Sequence, residues 1–371
     1  MNRRNFLKIL AFLTFFLSFN LFSKTKRIVR FKHGVASGDP TPDDVILWTK
    51  VTSNSKSSIL VFYEVSNTID FKNIIASGKQ YTTVGRDFTV KVDARIPNKF
   101  AGQKVFYRFA AEGVYSQIGT TFTLPEDVEN FKLAVFSCSN YPAGYFNAYN
   151  SASKDKSIDM AIHLGDYLYE YKQGEYATEN SISLNRQPIP NKEIITLSDY
   201  RQRHAQYKSD MDLQKLHSTM PVLCAWDDHE ITNDAWKNNA ENHQLNEGSF
   251  SQRKRNAIKA YYEWMPVREP KISFNNWKRY KIGKLIDLKL LETRISSRSK
   301  QVNLNDYIKD GKNFQKEAFL KELNNKKRSL IGKKQLDFIK ENDLDDQTWN
   351  LYAQLSLIHI SEPPRDLSTS R

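Results

Sequence analysis

Two short polar runs follow apolar stretches in a way that suits the ligation of a metal ion. Gly165-Asp166-Tyr167-Leu168-Tyr169 places a carboxylate directly after a glycine and a phenol three residues later. Trp226-Asp227-Asp228-His229-Glu230 sets carboxylates and an imidazole in a row after the apolar Pro221–Ala225. Hard cations take oxygen ligands, whereas thiolate and imidazole favour transition metals. Cys138, at the end of the apolar stretch from Phe131, adds a sulfur to the candidate set. A phenol titrates at roughly 10 in water, so Tyr169 would ligate as tyrosinate only beside a strongly charged metal. Four adjacent polar groups at a buried edge are costly without a partner. Read singly, Gly165-Asp166 is also a turn, the Asp227–Glu230 run also a helix cap, and Cys138 also an inert buried thiol.

These residues become a site only if the elements that carry them converge. From Lys32 to about Pro125 apolar residues alternate with polar ones between turn signals. Val45–Val51 and Ser58–Val65 are strand-like runs. Phe88, Val90 and Val92 fall on one face of another strand, as do Val105, Tyr107 and Phe109 of the next. The spacing predicts a small antiparallel β-sandwich of immunoglobulin or fibronectin type. The pattern changes at Asp127–Asn130. Phe131–Ser137 reads as a buried strand, Tyr145–Lys154 as helical, and Asp159–Gly165 as a second buried strand. After an irregular insert, Gln173–Ile195, Ser198 or Asp199 could cap a helix running to about His217. Pro221–Ala225 is the third buried strand. Such alternation predicts a mostly parallel sheet, in which ligands bind beyond the carboxyl ends of the strands. Three strands end in Ser137-Cys138, Gly165-Asp166 and Asp227-Asp228-His229. The Lys/Asn-rich Gln301–Lys334 reads as a solvated helical excursion.

The 371 residues, 40% of them hydrophobic and 12% aromatic, suffice for two domains and argue against disorder. The formal charge of +13 fits either attraction to anions or a solvated basic surface, since no single run concentrates it. No nucleic-acid partner is expected, because no recognised motif or aromatic-interleaved basic stripe is present. Two cysteines, Cys138 and Cys224, make one bridge or none. At the start, Arg3 and Arg4 precede Phe6-Leu7-Lys8 and an apolar run from Ile9 to Phe22. That is an export signal resembling the twin-arginine type, with Asn2 where Ser or Thr is usual; residues 1–26 are assigned to it.

The residues in family order decide among these readings. They are Gly34–Pro40 with Val45–Thr49, Phe136–Tyr141 with Gly144–Phe146, His163–Tyr171, Tyr200–His204, Pro221–Trp236 and Asp287–Arg294. Together they resemble the PhoD alkaline phosphatase/phosphodiesterase family of the calcineurin-like metallophosphatases. The resemblance implies an α/β metallophosphatase core at 127–354, preceded by a fibronectin- or immunoglobulin-like β-sandwich at 27–126. It implies Fe3+ held by Cys138, Asp166 and Tyr169, with Asp166 bridging toward Ca2+ and Asp228 a calcium-side ligand. His229 would contact the phosphate or the leaving group, and Asp227 and Asn233 would support the site or touch phosphate. The implied reaction is hydrolysis of phosphate mono- or diesters by a metal-activated hydroxide. The N-terminal signal adds the expectation of an exported protein that uses the twin-arginine machinery, with membrane or cell-wall association as a further candidate partner. Phospholipids and teichoic-acid-like polymers are candidate substrates alongside small esters. The competing reading is a surface-anchored binding protein with a vestigial site. From Leu355 to Arg371 the chain departs from the family pattern and resembles translated adapter sequence, so the core is expected to be incomplete, lacking a second Gly-Asp-x-His segment and its ligands.

Overall fold

The computed structural model describes residues 27–270, 276–341 and 348–356; the export signal assigned to 1–26 lies outside them, as does 357–371. In the N-terminal part, Ile59–Ser66 pairs antiparallel with Ile74–Thr82 on one side and Val105–Ala111 on the other, and Gly119–Thr121 extends the sheet. Val35–Gly38, Asp44–Lys50 and Thr89–Arg95 form a second antiparallel sheet. Alternation decides what each sheet buries. Val105, Tyr107 and Phe109 are fully enclosed, as are Val45, Leu47 and Val90 from the other sheet, and all six share one core. Phe88 and Val92 pack against it too, on the face their spacing predicted.

Beyond residue 130 the chain builds a parallel sheet in the order Leu133–Phe136, Met160–His163, Val222–Cys224. The middle strand shows why its sequence is apolar throughout. Ala161 faces one cluster, with Tyr167, Val222 and Trp226, while Met160 and Ile162 face another, with Leu223 and Leu288. Leu133–Phe136 was expected to be buried, and it is only partly so: Val135 is 56% exposed. Among the described residues it is the end strand of its sheet, with a neighbour on one side only. A further sheet joins Lys278–Ile282, Ile286–Leu290 and Trp349–Ala353, the last pairing parallel to the second. Its Tyr280, Ile282 and Leu288 close the second cluster, which also takes in Leu355.

The helix expected from Ser198 or Asp199 to His217 is two helices, Leu197–Tyr207 and Met211–Thr219. Thr196 caps the first in a reciprocal box with Asp199, and the carboxylate of Asp210 receives the amides of Asp212 and Leu213 to start the second. A second strong cap inside the run ends one helix and begins another. The insert before them contains neither helix nor strand and is held instead by Arg203, whose guanidinium donates to the carbonyls of Tyr169, Ile189 and Pro190. Gln301–Lys334 mixes a short helix, Lys316–Leu323, with turns and a two-residue ladder. The two cysteines are free thiols. No helix among the described residues is long and apolar enough to cross a membrane.

Sandwich and core meet along a tight seam. Trp48 is fully enclosed, donates its indole N–H to the Glu263 carbonyl at 2.9 Å and lies 5.9 Å from the Trp264 ring. A Cβ on Gly38 would come within 2.4 Å of the Pro266 carbonyl oxygen and 2.6 Å of that of Val222, so only glycine permits this approach. Trp48→Ala should therefore cost about 3–5 kcal/mol of unfolding free energy, whereas Tyr81→Ala, at a position 65% exposed, should cost little. Urea titration of both variants checks the contrast, and equal losses would contradict a packed seam.

Candidate active site

The loops that leave the three parallel strands are tied to one another before any side chain acts. The Cys138 amide donates to the Gly165 carbonyl at 3.2 Å, and the Ser139 amide to that of Asp166 at 2.8 Å. Cys138 and Asp166 both adopt left-handed backbone, at φ 55° each, a conformation that side chains other than glycine rarely occupy. Gly165 has φ 132°, and a Cβ there would lie 2.6 Å from the Asp227 nitrogen. The loop after Met160–His163 thus lies directly on the loop after Val222–Cys224.

Glu230 locks that contact. Its buried carboxylate accepts the amides of Asp166 at 3.1 Å, Tyr167 at 2.6 Å and Asp227 at 2.7 Å. Burial pushes its carboxyl up to about 7 even against these donors. Above it, one ligand atom each from Asp166, Asp228 and His229 lie within 4.8 Å of one another. Asp166 Oδ1 is buried without any hydrogen-bond partner, and Oδ2 lies 3.5 Å from the Cys138 sulfur. Burial, together with Asp228, Glu230 and Asp227, pushes the Asp166 carboxyl well above the ordinary range. The Tyr169 ring is 4.2 Å from that of His229. Desolvation and the Asp166 charge push the Cys138 thiol up to about 11, and the same two causes raise the Tyr169 phenol.

A second buried carboxylate, Glu170, holds the other wall. It accepts from His229 Nδ1 at 2.7 Å, the Asn233 amide at 2.7 Å, Asn242 Nδ2 at 2.9 Å and Thr232 Oγ1 at 3.1 Å. Burial alone would raise Glu170, but His229 and these donors hold it at about 2. Burial would likewise lower His229, and Glu170 instead lifts it to about 10. With Nδ1 engaged, Nε2 is the ring nitrogen left for the cluster.

Sequence reasoning placed Cys138, Asp166, Tyr169, Asp228 and His229 together, and the structure brings these five side by side. Asp227 and Asn233 stand apart. Asp227 gives both oxygens to Arg294 Nε and Nη2, each at 3.1 Å, and Oδ1 also accepts from the Ser356 hydroxyl. Asn233 turns its side chain to Glu241 at 2.9 Å, at the rim. Glu230, Glu170 and Arg294 were given no role from sequence, although each lies inside a quoted motif run. The available signal was an acid or base within an apolar stretch, which has to find a partner when buried. Arg294 also reaches Asp228 at 3.4 Å and Asp234 at 3.2 Å. It is aimed by Glu292, whose carboxylate accepts the amides of Arg294 and Ile295 and the Trp226 indole N–H.

The donor set fits a bound cation. A buried carboxylate oxygen without a hydrogen-bond partner, a second carboxylate, a thiol and a phenol converge there, beside the His229 ring, whose charge offsets only part of the cost of burying Asp166. Strand-end ligands on a parallel sheet, behind a domain rich in antiparallel strands, are the architecture of a metallophosphatase-like protein. Residues 18–125 match the pattern described as PhoD-like phosphatase, N-terminal domain, and residues 133–369 match PhoD-like phosphatase; the chain belongs to that family. Alkaline phosphatase D of Bacillus subtilis (strain 168) is 35% identical over 342 residues, covering 87% of this chain and 55% of that protein. The solved structure of PhoD superposes with a TM-score of 0.74 at 32% identity, over 87% of this chain and 62% of that one. The chain thus spans rather more than half the length of the relatives it matches.

Loss of the Glu230 tie should loosen the cluster without dissolving the fold. Glu230→Gln keeps the volume but leaves one acceptor oxygen for three amides. It is expected to weaken metal affinity about 10–100-fold with an unchanged circular dichroism spectrum. Retention of wild-type affinity would remove Glu230 from this role. Because Cys138 and Tyr169 hold their protons in the absence of a cation, metal uptake should release protons and tighten as pH rises from 6 to 8. Titration calorimetry in buffers of different ionisation enthalpy reads both quantities, and pH-independent affinity would exclude these two donors.

Proposed function

We propose that this chain is an exported, metal-dependent phosphoesterase that hydrolyses phosphate mono- or diesters, with Fe3+ held by Cys138, Asp166 and Tyr169 and Ca2+ shared by Asp166 and Asp228. The observation that carries this is the partnerless Asp166 Oδ1 between the Asp228 carboxylate and the His229 ring. The name of the Bacillus subtilis relative, alkaline phosphatase D, agrees with it. Metals bound there would neutralise phosphate oxygens and lower the pKa of a coordinated water. The protein's own groups do the rest. Glu170 fixes the tautomer and tilt of His229 and keeps its ring charged, so that Nε2 can hand a proton to a departing alkoxide. Arg294 neutralises Asp227 and part of Asp228, which keeps these acids from repelling an anionic ester. Asn233, at the rim, remains a candidate phosphate contact through a rotation of its amide. Hydrolysis by activated water needs no covalent nucleophile, in keeping with the absence of a serine or threonine motif.

The remaining readings belong with this one. The paired antiparallel sheets with one shared core support a fibronectin- or immunoglobulin-like N-terminal domain. The Arg3-Arg4 run supports twin-arginine export, and membrane or cell-wall association would follow from the basic charge.

Hydrolysis of bis-p-nitrophenyl phosphate by the metal-loaded chain tests the reaction. Asp166→Ala is expected to abolish it, and chelation to abolish it reversibly. Thiolate and tyrosinate on ferric iron should give a visible charge-transfer band that shifts or bleaches in Tyr169→Phe. A stable, folded chain that binds neither iron nor calcium would instead favour the vestigial, surface-anchored binding protein.

A further inference from the structure

The aromatic seam between sandwich and core is ringed by bases, and one of them, Lys208, has no acid beside it. Lys208 ends the helix Leu197–Tyr207 and is 1% exposed. Its Nζ lies over the Trp48 ring at 4.9 Å and over the Tyr167 ring at 5.2 Å. Its one side-chain hydrogen bond among the described residues joins it to His217 Nε2 at 3.0 Å, a nitrogen that also meets the Tyr167 hydroxyl at 2.8 Å. A charged ammonium would bring three N–H donors and a full charge to that single partner. An uncharged amine fits the place, because its lone pair can receive an N–H from the His217 ring.

The titratable groups that face Lys208 come from every element packed against it, and none is a carboxylate. His33 belongs to the sandwich side, His204 to the same helix and His217 to the helix Met211–Thr219. His163 and Cys224 come from the parallel sheet. Burial holds His163 and His204 down at about 3 and His33 at about 4, so these rings are uncharged near neutrality. Burial pushes the Cys224 thiol up to about 12, so it offers no counter-charge. His33, His204 and His217 each keep a buried Nδ1 without a hydrogen-bond partner. Asp210, two residues on, is taken by Arg186 at 2.7 Å. Lys50 makes the contrast: it lies over the Trp264 ring at 5.4 Å, but with Asp87 at 3.8 Å.

We propose that Lys208 is a pH-sensitive latch on the seam: uncharged, it seats Trp48 against the core, and when protonated it loosens the sandwich from the core. The latch requires only the fold, not the hydrolysis of an ester. It also reaches the ligand loops. Through His217 it holds Tyr167, whose amide is one of the three that Glu230 receives. The His163 ring lies 5.0 Å from that of Tyr167, and its Nε2 meets the Ser139 hydroxyl at 2.9 Å, beside Cys138. The sign follows from the missing acid. Burial lowers Lys208 from 10.5 to about 7. Between those values the unfolded chain carries a proton on Lys208 that the folded chain does not, so stability rises with pH across that window. Below about 7 the folded chain takes the proton too, and the charge then sits inside the seam.

Two measurements on the full, metal-loaded chain test the latch, each comparing wild type with Lys208→Met, which keeps the length of the side chain and cannot titrate. The first is urea unfolding at pH 8 and pH 9. The unfolding constant of the wild type should fall between them by about tenfold more than that of the variant, the effect of one proton. The second is hydrogen exchange at pH 8 and pH 6, with exchange times scaled to the intrinsic rates. Amides of Asp44–Lys50 and Phe250–Trp264, the two sides of the seam, should lose about tenfold in protection at pH 6 in the wild type and keep it in the variant. Lys208→Gln makes the same comparison if the methionine variant does not fold. Equal pH dependence in wild type and a folded variant overturns the latch. So does wild-type seam protection that is the same at pH 6 and pH 8, a result that needs no variant.

Discussion

One buried carboxylate sets the geometry on which the rest depends. Glu230 receives three main-chain amides from two loops that are separated by some sixty residues of chain. In a water-poor interior such charge-assisted bonds are strong and directional. They fix the left-handed turn at Asp166 and the start of the Asp227–His229 segment relative to each other. Without a common acceptor, the amides of Asp166, Tyr167 and Asp227 would be orphan donors in the interior, and each loop would have to relax toward water to satisfy them. The ligands would move with it.

Around that tie the site is organised by matched charges, with one deliberate mismatch. Glu170 is balanced by His229, Asp227 by Arg294, and Glu292 by a ring of amides and an indole N–H. Among the carboxylates of the described residues, Asp166 alone has a buried oxygen without a hydrogen-bond partner. An unsatisfied carboxylate oxygen, inside a shell whose neighbouring acids Glu170, Asp227 and Glu292 have donors, is what a cation requires of its binding site.

The strands and the side chains at their ends could be read from the sequence because both are local. Alternation in Val105, Tyr107 and Phe109 reports a face, and a glycine-acid pair after an apolar run reports a strand end. What escaped was set by distant neighbours. The exposure of Val135 depends on which strand lies at the end of the sheet, not on its own run. The break between Tyr207 and Met211 follows from Asp210 competing as a cap, although its helical flanks look continuous. Asp227 reads as a support of the site or a phosphate contact until Arg294, sixty-seven residues later, is seen to occupy both of its oxygens. Glu230 looks like a further member of an acidic cluster and Glu170 like a lone acid between tyrosines, and only the folded loops reveal that they accept from the backbone and from His229 instead of presenting themselves to solvent.

The seam between sandwich and core joins residues 215 positions apart, Trp48 and Glu263. A polypeptide emerging from the ribosome can complete the first antiparallel sheets early, but it cannot close this seam until the helix Phe250–Trp264 has been made. Arg294 and the strand behind it come later still. Partly synthesised chains therefore hold Trp48 exposed and the acids of the ligand cluster uncompensated. The order of synthesis therefore puts docking first and charge compensation second, and the acid cluster cannot be balanced before Arg294 has been made.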